Sequence, residues 1–142
     1  MNPAWSFEHT IEVRATRNAA WSFWSNMTNW AVVDPGVEWA RLDGPFVAGT
    51  RGETKPVNAP TTEWILSEVE PEKRAVIEME VPGAVLRFIW TFQDGKSGGA
   101  TLTQALELSG ENTGQYMAVM RQLEQNVPAG MAKLAAAIDR SV

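Results

Sequence analysis

The chain has 142 residues, 44% of them apolar and 20% charged, with a formal net charge of −5 and no cysteine. That length predicts a single domain over residues 1–142, with a core large enough to hold without disulfides or metals. The composition excludes a disulfide scaffold, thiol catalysis and thiolate zinc sites, and no basic cluster is present to displace counterions from nucleic acid.

In chain order, residues 5–13 alternate strictly. Trp5, Phe7, His9, Ile11 and Val13 share one face, and Ser6, Glu8, Thr10 and Glu12 the other, the period of a strand with one wet side. Thr16 then caps a short helix carrying Trp21 and Trp24 on one face, and a second short helical turn covers residues 27–33. Asp34-Pro35-Gly36 ends it.

About six consecutive strands follow, separated by turn signals. Residues 44–52 hold the glycines and proline of a bulged hairpin. Residues 61–71 form a strand closed by Pro71, and residues 75–81 return with Ile77 and Met79 on one face. Pro82-Gly83 turns the chain into the strongest strand, with Leu86, Phe88, Trp90 and Phe92 in phase and Ile89 as the exception. After the loop at 94–99, Leu102, Gln104, Leu106 and Leu108 share the last strand's phase. Gly110 ends it, and Asn112 with Gln115 has the form of a capping box. From Tyr116 the period becomes helical, through Met120, Leu123, Val127, Met131, Leu134 and Ile138, with a kink or break expected at Pro128.

Strands followed by one long helix predict an α+β fold in which the helix covers one face of an antiparallel sheet. At this point the chain resembles a known family. Phe7 to Val13, the helix with Trp21 and Trp24, Asn29-Trp30 before Val33-Asp34-Pro35-Gly36-Val37, Leu42-Asp43-Gly44-Pro45-Phe46 and Gly49-Thr50-Arg51-Gly52 carry the first half. Ile65, Val69 and Pro71 at a strand end, Leu102-Thr103-Gln104, Gly110 and Val127-Pro128-Ala129-Gly130-Met131 with Leu134 carry the second. Together they are similar to the polyketide cyclase/dehydrase branch of the START-like (Bet v 1-like, SRPBCC) superfamily. The resemblance implies a helix-grip: a seven-stranded antiparallel sheet wrapped around a long C-terminal helix, two short helices after strand one, and an apolar cavity between sheet and helix. It implies no single reaction. Many relatives carry an aromatic where this chain has Val33, which implies a wider mouth here.

Candidate residues follow from that frame. Trp64, Ile77, Met79, Leu86, Phe88, Trp90 and Leu102 are expected to wall the cavity, and Tyr116, Met117 and Met120 to form a movable lid. Plain core is the competing reading for each, and for Trp21 and Trp24 it is the favoured one. His9, the only histidine, lies on the inward face of the first strand. The implied pairing of first and last strands places it near Gln104. These two either satisfy each other or orient a ligand, and His9 is the candidate acid/base of an enzymatic alternative. Glu63, Glu78 and Glu80 read as a solvated face. Glu68 and Glu70 share the phase of Trp64, but lie where a bulge would undo it.

No metal or cofactor is expected, since one histidine and no cysteine leave only unclustered carboxylates. Nor does the sequence carry a nucleophile elbow, P-loop or dinucleotide fingerprint. The N-terminus lacks a basic-then-apolar leader, and no apolar run approaches the roughly 18 residues that span a bilayer, so a cytoplasmic protein without membrane insertion is expected. The leading function is binding of a small hydrophobic or aromatic molecule. The alternatives are a cyclase, dehydratase or hydrolase using the same cavity, and an interaction protein whose cavity its own side chains fill. Oligomeric state is left open.

Overall fold

A computed structural model describes residues 3–142. The elements are β1 (Trp5–Val13), α1 (Arg17–Trp24), α2 (Thr28–Val33), β2 (Val37–Leu42), β3 (Arg51–Pro56), β4 (Thr62–Glu70), β5 (Arg74–Val81), β6 (Ala84–Asp94), β7 (Ala100–Ser109) and α3 (Met117–Arg140). The strands form one seven-stranded antiparallel sheet in the order β1-β7-β6-β5-β4-β3-β2. β1 and β2 are therefore its two edges, and α1 with α2 carries the chain from one to the other. This is the helix-grip fold.

Alternation in the sequence sets which side chains face inward. β1 pairs with β7 from Trp5 opposite Leu108 to Val13 opposite Ala100, without a slip. Its exposed and half-buried residues alternate as the period-two pattern requires. β6 carries Leu86, Trp90 and Phe92 buried on the inner face. Ile89 is buried on the outer face, opposite Val76 on β5, which is why it breaks the phase. A bulge in β4 between Leu66 and Glu68 reverses the phase of the strand's end. Glu68 thus pairs with Arg74 at 3.0 Å on the outer side, away from Trp64.

Thr16 caps α1, its hydroxyl accepting from the Ala19 N–H at 3.1 Å. The cap matters because α1 buries Trp21 and Trp24. Thr16→Ala is expected to cost about 1 kcal/mol, lowering Tm by about 4 °C in thermal denaturation. An unchanged Tm would show that tertiary contacts alone hold the helix start.

α3 lies over the inner face, with Val127, Met131, Leu134 and Ile138 buried beneath it. It is tied to β1 and to the residues just after it. Trp5 donates its indole N–H to Glu124 at 2.7 Å. Asp139 accepts from the backbone N–H groups of Arg14 and Ala15 at 2.9 and 3.2 Å.

One expectation at this helix is corrected and another narrowed. The capping box does not form. A 3₁₀ turn at Gly114–Tyr116 precedes α3, so Asn112 stands too far upstream to cap it, and the Gln115 amide reaches the carbonyls of Asn112 and Pro82 instead, each at 3.3 Å. Nor does the helix break at Pro128, which sits inside 24 continuous helical residues. Proline removes the hydrogen bond to the carbonyl of residue 124. Glu124 lies on the exposed side of the helix.

Candidate functional site

Between the inner sheet face and α3 lies a cavity of about 390 Å³. The sheet supplies its floor through Trp64 of β4, Ile77 and Met79 of β5, Phe88 and Trp90 of β6 and Gln104 of β7. The roof is one stripe of α3, through Leu123, Val127, Gly130, Met131 and Leu134, whose three-to-four spacing puts them on one side of the helix. Phe23, Trp24, Trp30 and Val33 of α1 and α2 close one end. Asp34 and Asn126 also line the space and are exposed, so the opening lies between the end of α2 and the middle of α3.

Four of the wall residues are tryptophans packed on one another. Trp24 lies 5.1 Å from Trp90 and 6.2 Å from Trp30, and Trp30 stacks on Trp64 at 5.5 Å with ring planes 22° apart. Such tilted and stacked pairs add to area burial and stiffen the wall. Trp21 stands behind them, edge-on to Phe92 and Phe46, as ordinary core. The indole N–H of Trp30 donates to the Trp24 carbonyl at 2.8 Å, and that of Trp64 to the Thr54 hydroxyl at 2.9 Å. Trp64 also lies flat on β3, where Gly52 is its register partner.

The predicted site residues divide between this cavity and other places. Trp64, Ile77, Met79, Phe88, Trp90 and Gln104 line it. Leu102 is fully buried in the main core. Leu86 and Met120 belong to a second apolar cluster with Ala84 and Leu108, against which Tyr116 and Met117 pack. The Tyr116 hydroxyl donates to the Pro82 carbonyl at 2.6 Å, pinning the β5–β6 turn. The roof therefore comes from the middle of α3 rather than from its first turn, because the cavity sits over the strand centres. His9 faces Gln104 in register, as the strand pairing implied. It is half-buried and outside the cavity lining, since β1 is an edge strand that α3 itself covers.

Gln104 is the one buried polar side chain among the described residues, at 9% exposure. No hydrogen bond within the described residues involves its amide, and it borders the cavity space. The ionisable side chain in the lining is Asp34, which accepts from the Gly36 N–H at 2.8 Å. Sequence reasoning missed Trp24, Trp30 and Gly130. The repeated indoles at 21–30 and the Val127-to-Leu134 run were the available signals.

Among the described residues no group of three or more His, Asp or Glu is placed to hold a metal ion, and no helix is long and apolar enough to cross a membrane.

A seven-stranded sheet gripping one long helix over an apolar cavity defines the Bet v 1-like architecture. The family model for polyketide cyclase / dehydrase and lipid transport matches residues 4–139, and the chain belongs to that family. Comparison with curated proteins returns no match. Among solved structures, protein NE0264 from Nitrosomonas europaea is similar at 18% identity and a TM-score of 0.75, over 96% of this chain and 95% of that one. Ara h 8.0201 is similar at 8% identity and a TM-score of 0.74, over 94% and 97%. Norcoclaurine synthase from Thalictrum flavum, solved in complex with dopamine and hydroxybenzaldehyde, is similar at 15% identity and a TM-score of 0.72, over 94% and 86%. At these identities the likeness is one of fold.

Proposed function

We propose that the protein binds a small hydrophobic or aromatic molecule, of lipid- or polyketide-like chemistry, in the cavity between the sheet and α3. The observation that carries this reading is the cavity of about 390 Å³, walled by indoles and aliphatic side chains and open at one end. Its volume lies in the range of small-molecule sites, and a mostly apolar lining with few polar groups is what such sites show. A relative of the same fold was solved with two aromatic molecules bound, which supports the class of ligand. An internal cavity filled by the chain's own side chains fits that volume poorly. The enzymatic alternative, a cyclase, dehydratase or hydrolase with His9 as acid/base, has less support, because His9 stands outside the lining.

Native mass spectrometry of freshly purified protein, set against the same sample denatured, is expected to show an added small-molecule mass that denaturation removes. Tryptophan fluorescence gives a second readout, since four indoles line the space. A bare chain that also shows no quenching by naphthalene-sized aromatics would sink the reading.

A further inference from the structure

We infer that the ligand is a neutral, flat aromatic molecule bearing a hydrogen-bonding oxygen, and that Gln104 is the residue that selects it. This rests on the cavity-binding reading above and goes on to name the chemistry of the ligand.

The first argument is electrostatic. Among the described residues no lysine, arginine, histidine or tyrosine lines the cavity, and its ionisable residue, Asp34, is exposed at the opening. A ligand carboxylate or phosphate would leave water with no partner charge, a cost that buried ions rarely meet. Asp34 and the net charge of −5 would repel an anion as well.

A cation held by the indoles is the natural rival, since aromatic cages bind quaternary ammonium groups through ring faces. The geometry disfavours it. The rings of Trp90, Trp24, Trp30 and Trp64 follow one another at 5.1, 6.2 and 5.5 Å, tilted by 42° and 38° at the first two contacts and stacked within 22° at the third. They form one continuous wall rather than opposed faces around a gap. A flat ring lying along that wall is the shape it accepts.

The second argument is the amide. The Gln104 amide is reachable from the cavity, since the sealed side-chain atom without a partner among the described residues is Arg17 Nε, and a ligand that displaces water from such an amide must replace its hydrogen bonds. Gln104 is nine-tenths buried, has no partner among the described residues, and lies on the cavity floor. His9 stands opposite on β1 but makes no bond to it, and Trp90 stands opposite on β6. Glutamine offers both a donor and an acceptor, so a ligand carbonyl or hydroxyl meets it equally well. Leucines occupy the neighbouring inward positions, Leu102 and Leu106, both fully buried. The polar residue thus interrupts an apolar row only where that row borders the cavity. At ~30 Å³ per water-sized group, the volume admits about a dozen non-hydrogen atoms.

Three 2-substituted naphthalenes of matched shape and one bulkier cation test this by tryptophan quenching: 2-acetylnaphthalene, 2-isopropenylnaphthalene and 2-naphthoate, with 2-naphthyltrimethylammonium. The wild-type protein is expected to bind the ketone several-fold more tightly than the olefin of the same shape, and about tenfold more tightly than either ion. In Gln104→Leu the ketone-to-olefin ratio is expected to fall about tenfold, with olefin binding retained. A purely structural role for Gln104 would weaken both ligands alike and leave the ratio unmoved. Equal binding of ketone and olefin by wild type, or an unmoved ratio in the variant, overturns the role of Gln104. Tightest binding by either ion overturns neutrality. Binding of none of the four overturns the cavity reading itself, a result distinct from the others.

Discussion

Gly130→Leu is expected to leave the protein folded and at least as stable as wild type, while weakening ligand binding tenfold or more, about 1.4 kcal/mol. Glycine in a helix interior costs about 1 kcal/mol relative to alanine. It is usually kept for a positive φ or a close backbone approach, and Gly130 has neither. Beyond the helix's own neighbouring backbone, no atom lies within 4 Å of where its Cβ would stand. What it borders is the cavity roof. Leucine adds four carbons, each of roughly a water's ~30 Å³, which removes about a third of the space. Gly130→Ala should show a quarter of that loss and a small gain in Tm. Isothermal titration with 2-acetylnaphthalene and thermal denaturation read the two effects separately. Unchanged affinity in the leucine variant would place the ligand elsewhere, and loss of folding would mean the glycine serves the backbone after all.

The sheet was legible because period-two alternation is a local signal. Trp5 to Val13 and Leu102 to Leu108 needed only their own spacing to show which side faces in. Ile89 was the visible exception, and it resolves into two-sided burial against Val76, which no single strand can announce. The face of α3 was legible too, since Leu123, Val127, Met131 and Leu134 already shared a stripe. Which stretch of that stripe roofs the cavity was not legible, because that depends on how far seven strands curl and where the helix is tied down. Tyr116 and Met117 had the right chemistry for a lid, but they sit over the second apolar cluster. Trp24 shows why core and lining were false alternatives: it is 3% exposed and still borders the cavity. A wall residue is buried by its neighbours on every side but one.

Gly52→Ala is expected to destabilise the protein by about 3 kcal/mol, at the upper end for forcing extra volume into a packed core. Gly52 lies directly opposite Trp64 across the β3–β4 ladder. A Cβ there would stand 2.3 Å from Trp64 Cη2, 2.5 Å from Cζ2 and 2.6 Å from Cζ3. These atoms belong to a rigid ring, so no flexible tip can yield. The indole is 4% exposed, stacked on Trp30 and held through its N–H by Thr54. Any retreat breaks those contacts, and the free volume nearest to it is the cavity. Ligand binding should therefore weaken together with stability. Urea denaturation of Gly52→Ala, Trp64→Leu and the double variant separates the causes. If the ring is what the methyl strikes, the alanine penalty should shrink by at least about 1 kcal/mol in the Trp64→Leu background, because leucine leaves that side of the strand open. A penalty of the same size in both backgrounds would move the cause from the ring to the β3 backbone, and Trp64 would then owe its place in the wall to Trp30 and Thr54 alone.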